Sequence, residues 1–120
     1  MLEFIFYTNK NESIIFKVSE DIYERLAEAK FDKVANSLPV HLVIEDEECE
    51  VDAIELSGQN REKFKCFIEK ERHMELKNII KNLDENPTIK EFRECYSYVK
   101  SLTEIYELFD NENNKYFSFD

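Results

Sequence analysis

The sequence predicts an α+β fold in which a small, mostly antiparallel sheet packs on two or three helices. Strand-like runs of β-branched and aromatic residues occur at both ends of the chain and over residues 40–56, and helix-like apolar spacing fills the segments between them. The 120 residues include one Gly and two Pro, too few for an all-β chain, whose tight turns use Gly for positive φ. At this length, with 42% apolar residues, we expect one domain over residues 1–120.

The N-terminal segment predicts a β-hairpin. Residues 2–7 and 13–18 are apolar, β-branched and aromatic runs on either side of a polar loop. Both faces of this hairpin are partly apolar, so we expect a helix to cover at least one of them. Ser19 follows the second run directly and is a good N-cap for that helix.

The first helix should bury Ile22 and Leu26 and end near residue 30, because these apolar positions share one helical face. A second short helical turn is expected around residues 32–37. It must end before Pro39, since the residue preceding a proline is driven towards an extended conformation.

The segment that follows has two interpretations. Residues 40–44 predict a buried strand, and residues 51–56 predict its partner, with the acidic residues between them forming the connection. Alternatively, residues 47–57 form a short helix that ends at Gly58 in the left-handed conformation. We favour the hairpin, because no run of apolar residues in this segment keeps the helical period.

The next segment predicts a helix capped by Ser57 or Asn60, either continuous or broken near His73. Its apolar face should consist of Phe64, Ile68, Leu76, Ile79, Ile80 and Leu83. The other face carries a row of lysines, here called the basic stripe: Lys63, Lys70, Lys77 and Lys81. This stripe is expected to be a solvated helix face or to neutralise neighbouring carboxylates.

The last helix should begin at Asn86 and Pro87, a capping residue followed by proline at the first helical position. Its first apolar seam comprises Ile89, Phe92, Tyr96, Val99 and Tyr106, and its second comprises Cys95, Leu102, Ile105 and Phe109. Two seams predict the most deeply buried helix, where Phe92→Ala or Leu102→Ala should cost about 2–5 kcal/mol. Residues 115–119 predict a terminal strand.

The candidate functional site is the acidic run, residues 41–56, which holds seven carboxylates and no Lys or Arg in a chain of net charge −11. A charge of this sign disfavours direct binding to nucleic acid and favours a cationic protein partner. The predicted partner-binding residues are Glu45, Asp46, Glu47, Glu48, Glu50, Asp52 and Glu55. The alternative is a solvated loop that keeps the protein soluble. The next segment in the chain, residues 57–83, is net basic, so a further alternative is that the basic stripe folds against the acidic run and cancels its charge internally.

No motif points to catalysis, a metal or a cofactor, and we expect none of the three. A calcium loop at Asp110, Glu112 and Asn114 is disfavoured, because Lys115 stands where such a loop needs Gly. A Cys–His nucleophile would require His41 or His73 to meet a cysteine in space, which the spacing does not predict.

The chain contains three cysteines. Their odd number, without C-x-x-C spacing, indicates reduced thiols and a cytoplasmic location. Neither a targeting segment nor a membrane span is predicted.

These features favour a non-enzymatic protein that inhibits a basic, nucleic-acid-processing partner such as a toxin or nuclease. In size and charge the chain resembles small acidic inhibitors such as bacterial immunity proteins and phage-encoded anti-defence proteins, although no motif carries the likeness. One alternative is an adaptor or homodimer that associates through an apolar seam of the last helix. Another is a small enzyme or ligand carrier with a pocket between sheet and helices.

Overall fold

A computed structural model describes residues 2–84 and 88–119. It confirms the α+β class, with three α-helices packed against an open, five-stranded antiparallel sheet. A short 3₁₀ turn, Phe31–Lys33, follows the first helix. In chain order the strands and helices are β1 (Leu2–Thr8), β2 (Ser13–Val18), α1 (Glu20–Glu28), β3 (Leu38–Ile44), β4 (Glu47–Glu55), α2 (Gln59–Asp84), α3 (Ile89–Asp110) and β5 (Asn114–Phe119).

The predicted N-terminal hairpin is confirmed, with Phe4 opposite Phe16 in its register. The strand order is β2-β1-β5-β4-β3, so the C-terminal strand lies in the middle of the sheet. There β5 pairs with β1 on one side and with the end of β4 on the other, where Ile54 lies opposite Phe117. The two ends of the chain are therefore joined through the sheet.

The core is built around Phe117, which is fully buried at the centre of β5. Its ring lies 4.9 Å from those of Phe6 and Phe109. Phe64 of α2 stacks on Phe109 of α3 at 4.7 Å. This aromatic cluster joins the sheet to both long helices, and ring pairs at such distances add to the stabilisation that burial provides.

The predicted start of α1 is confirmed. The Ser19 hydroxyl accepts the backbone N–H of Ile22 at 3.4 Å. Leu26 is fully buried, and Ile22 packs against the core while partly exposed. The 3₁₀ turn corresponds to the second short helical turn expected around residues 32–37, although it begins earlier, at the buried Phe31.

The long segment after β4 is one continuous helix of 26 residues, without a break near His73. It begins at Gln59, after Gly58 at φ +54°. Asn60, predicted as a possible cap, instead donates from its side chain to the carbonyl oxygen of Glu55 at 3.0 Å.

The predicted apolar face of α2 is right in its first half and mostly wrong in its second, where Ile79 is half-buried and its neighbours are exposed. Phe64 and Ile68 are fully buried, whereas Leu76 is 43% and Ile80 is 64% exposed. Glu75 takes the core position in their place, at 4% exposure. A carboxylate is tolerated there because Arg25 of α1 pairs with it. The side chain of Leu83 lies outside the described residues.

The two seams of α3 differ in burial. The second seam is confirmed, since Leu102, Ile105 and Phe109 are fully buried and Tyr98 joins them. The first seam is exposed in the early turns of the helix, with Ile89 at 73%, Phe92 at 43% and Tyr96 at 57%. The prediction that Phe92→Ala costs as much as a core truncation is therefore wrong, since the ring leaves water only in part.

The predicted start at Asn86 and Pro87 lies outside the described residues. Within them, α3 begins at Ile89, and Thr88 is its N-cap, accepting the backbone N–H of Glu91 at 3.2 Å.

Arg61 of α2 holds the end of α3 in place. Its guanidinium donates to the carbonyl oxygens of Phe109 at 2.6 Å, Asn111 at 2.8 Å and Asn114 at 2.6 Å. The last carbonyls of a helix have no partner within the helix. Arg61 supplies that partner and fixes the turn that leads into β5.

Residues 38–55 form the predicted hairpin, and the helical alternative over residues 47–57 is wrong. The connection is shorter than expected, because Glu45 and Asp46 alone lie between the strands. Both have positive φ, +50° and +66°, as a two-residue turn of the mirror-image type requires. Most of the acidic run therefore lies on strand β4 rather than in a loop.

None of the helices, as far as residues 2–84 and 88–119 show them, is long and apolar enough to cross a membrane.

Candidate functional site

The β3–β4 hairpin has an acidic face and an apolar face, which the antiparallel register defines. In this register Glu48 lies opposite Val43, Glu50 lies opposite His41, and Asp52 lies opposite Pro39. The intervening pairs join Leu42 to Cys49 and Val40 to Val51, all half-buried. Since side chains alternate between faces along a strand, the carboxylates of Glu48, Glu50 and Asp52 point away from the face that holds Cys49 and Val51.

The apolar face of this hairpin turns towards the side of the sheet that faces away from the helices. Leu42 and Ile44 line one small cavity together with Tyr7 and Tyr116. Tyr116 neighbours the core residue Phe117 along β5, so it points to the opposite face of the sheet. The backbone N–H of Glu45 also donates to the carbonyl oxygen of Asn11 at 3.1 Å, tying the hairpin tip to the β1–β2 loop.

All seven predicted partner-binding carboxylates are exposed, but the structure does not keep them in one group. Glu55 lies apart, at the end of β4, where it lines a cavity with Arg61 and Lys115. Of the other six, three lie on the acidic face of the hairpin and three at its tip. We call these six the acidic arm: Glu48, Glu50 and Asp52 on the face, and Glu45, Asp46 and Glu47 at the tip.

The basic stripe does not pair with the acidic arm. Its four lysines are all exposed, and in the described part of the chain no salt bridge joins them to the arm. Within the described residues, Glu48 of the arm pairs with His41. The Oε2 atom of Glu48 lies 3.6 Å from Nε2 of His41, and both side chains are exposed. The negative charge of the arm is therefore not cancelled by ion pairs to α2.

Sequence reasoning missed a second polar cluster, between α1 and the two long helices. Arg25 pairs with the buried carboxylate of Glu75, and its guanidinium lies 3.7 Å from the centre of the Tyr98 ring. The Tyr98 hydroxyl donates to Glu71 at 3.2 Å. Burial raises the pKa of Tyr98 above its ordinary value, so the phenol stays protonated. The one signal for this cluster in the sequence is the heptad spacing from Ile68, which marks residue 75 as a core position.

The cysteines and histidines do not assemble into a nucleophilic pair. Burial raises the pKa of Cys95, and Glu75 adds to that shift, so its thiol keeps its proton at neutral pH. Cys49 lies opposite Leu42 on the apolar face of the hairpin, whereas His41 lies on the acidic face.

No three His, Cys, Asp or Glu side chains among the described residues come close enough together to hold a metal ion. Two members of the calcium-loop candidate have other contacts. Asp110 pairs with Lys65 at 2.7 Å, and the Asn114 side chain donates to the carbonyl oxygen of Leu108 at 2.8 Å.

Comparison with known proteins identifies no function, so the evidence on function is the geometry and charge of the hairpin. No protein-family model matches the chain, and searches of curated proteins and of solved structures give no match either.

Proposed function

We propose that the protein is a non-enzymatic binding protein whose acidic arm docks on a basic protein partner and blocks its nucleic-acid-binding cleft. The observation that carries the proposal is that all six carboxylates of the arm are exposed, with none paired to the basic stripe in the described residues. A row of exposed carboxylates presents to a basic cleft the charge that a phosphate backbone would present.

The backbone of the arm supports this role. Its apolar face packs towards Tyr7 and Tyr116, and its tip is hydrogen-bonded to Asn11. Glu48, Glu50 and Asp52 are therefore held on one face of a paired strand rather than on a free loop. Side chains fixed in this way lose less conformational entropy when a partner binds.

The test compares two variants of equal charge. In the arm variant, Glu48, Glu50 and Asp52 are each replaced by Lys. In the control, the same change is made at three exposed acids on other elements, Glu24, Glu28 and Glu107. The wild-type protein is used to capture its partner from the native cell, and association rates are then measured with the purified partner.

We expect the arm variant to associate at least about tenfold more slowly at low ionic strength, because steering by local charge raises association rates by about 10–1,000-fold. The wild-type association rate should also fall as salt rises. The control should keep most of the wild-type rate. Equal losses in the two variants would show that net charge, and not the arm, determines binding.

A second candidate function is self-association, which the exposed half of the first seam favours. Arg72 donates to Thr103 at 3.4 Å, so these positions mark facing rows of α2 and α3. Steps of three or four residues along each helix lead from these two positions to a set of exposed apolar residues on the same side. We call this set the outer strip: Leu76, Ile80, Ile89, Phe92 and Tyr96.

We propose a second copy of the chain as the occupant of the outer strip. A contiguous apolar patch on a surface marks an interaction site. Two antiparallel helical hairpins packed about a two-fold axis would form a four-helix contact, which buries both strips at once.

For this candidate we expect a dimer in light scattering that Tyr96→Asp converts to a monomer without unfolding the chain. Tyr106, a member of the same predicted seam, is half-buried, with Lys65 and Arg72 over its ring. Tyr106→Asp would therefore disturb the fold as well as any interface, which makes Tyr96 the better site. A wild-type protein that stays monomeric at all concentrations would contradict self-association.

A further inference from the structure

A cleft of about 760 Å³ lies between the start of α1 and the first three turns of α3. Its volume falls within the range of about 300–1,000 Å³ that is usual for small-molecule sites. The α1 wall includes Ser19, Ile22 and Arg25, and the α3 wall includes Lys90, Arg93 and Tyr98. The cleft lies on the helical layer and is separate from the acidic arm.

The floor of the cleft is organised before any ligand arrives. Tyr98 is 2% exposed, and the Arg25 guanidinium carbon lies 3.7 Å from the centre of its ring. Glu75 holds that guanidinium from the interior, while 40% of the Arg25 side chain remains exposed.

The charges around the cleft indicate the sign and size of the ligand's charge. Three cationic side chains line it, of which Arg25 is already paired with Glu75, together with the acidic Asp21 and Glu94. Lys90 and Arg93 are exposed and, within the described chain, belong to no ion pair. The N-terminal ends of two helices, marked by Ser19 and Ile89, also line the cleft, and their dipoles favour negative charge. The two carboxylates disfavour a polyanion, so a single negative charge fits best.

The uncharged lining indicates the rest of the ligand. Ile22 and Ile89 form an apolar surface beside the cations, whereas the ring of Tyr98 is covered by Arg25. We propose that this cleft binds a small carboxylic acid with an apolar body, the carboxylate lying between Arg93 and Lys90 and the body resting on Ile22 and Ile89. Arg is well suited to such a head group because its guanidinium forms paired hydrogen bonds with a carboxylate. This site is independent of the proposed partner-binding function.

The test uses hexanoate as the probe, with hexylamine and inorganic phosphate as matched controls, followed by amide chemical shifts of the full chain. We expect hexanoate to cause saturable shifts around Ile22, Ile89 and Tyr98, and expect neither control to do so. A response to hexylamine of equal strength would overturn the assignment of charge. Equal binding of inorganic phosphate would overturn the requirement for an apolar body.

A pair of variants then locates the head group. Lys90→Glu with Arg93→Glu should weaken hexanoate binding at least about tenfold, because two charge-assisted contacts are lost. Lys77→Glu with Lys100→Glu makes the same charge change at exposed positions that do not line the cleft, and should alter binding less than about twofold. Unchanged thermal midpoints would show that both variants fold. Equal weakening by the two variants, or hexanoate shifts centred on the basic stripe, would refute the site.

Discussion

Replacement of Phe117 by Ala should lower the free energy of unfolding by about 3–5 kcal/mol, the largest effect that we expect from truncating one side chain. Phe117 is fully buried in the central strand and has the rings of Phe4, Phe6, Phe64 and Phe109 within 5.5 Å. These neighbours come from β1, α2 and α3, so they cannot all move to fill the cavity left behind. Urea denaturation followed by circular dichroism would measure the loss.

Phe92→Ala is the matched control, because it removes the same side chain from a site that is 43% exposed. We expect that change to cost less than about 1 kcal/mol, near the range of surface substitutions. Costs of similar size for the two variants would contradict the difference in burial between Phe117 and Phe92.

Arg25→Met should cost about 3–5 kcal/mol, since it leaves the Glu75 carboxylate buried without its cationic partner. The Glu75 side chain is 5% exposed, so water cannot readily replace the guanidinium. The same substitution removes the contact between Arg25 and the Tyr98 ring. The expected loss can be read from the denaturation midpoint at constant slope.

Two further variants separate charge burial from loss of packing. Arg25→Met combined with Glu75→Leu should recover most of the stability, because an apolar pair leaves no buried charge. Arg72→Met removes the partner of Glu69, which is 47% exposed, and should cost about 1 kcal/mol or less. A double variant as unstable as Arg25→Met alone would show that the unpaired carboxylate is not the cause.

Local sequence patterns were sufficient where the structure depends on neighbouring residues in the chain. The N-terminal hairpin follows from two β-branched and aromatic runs, and the start of α1 follows from the hydroxyl of Ser19. The second seam of α3 is buried as its spacing predicts. The choice of strand over helix for residues 47–55 also follows from period, because no run of apolar residues in this segment keeps the helical period.

Local patterns could not predict which of two adjacent rows of residues on each long helix is buried. The period of α2 is compatible with either Leu76 or Glu75 as a core position, and the arrival of Arg25 from α1 decides for Glu75. Likewise, periodicity identifies two seams on α3 without showing that α1 and α2 cover its first turns on one side only. Such choices depend on a partner far away in sequence, which local spacing does not encode.

For the candidate site, the sequence by itself determined the concentration of carboxylates in residues 41–56 and the net negative charge. Tertiary structure alone decided that Glu55 stands apart from the other six, and that the basic stripe makes no ion pair with the acidic arm in the described residues. The cleft beside Tyr98 also exists only after α1 and α3 pack together. Charge is a property of composition, whereas its compensation depends on which surfaces face each other, and long-range packing sets that arrangement.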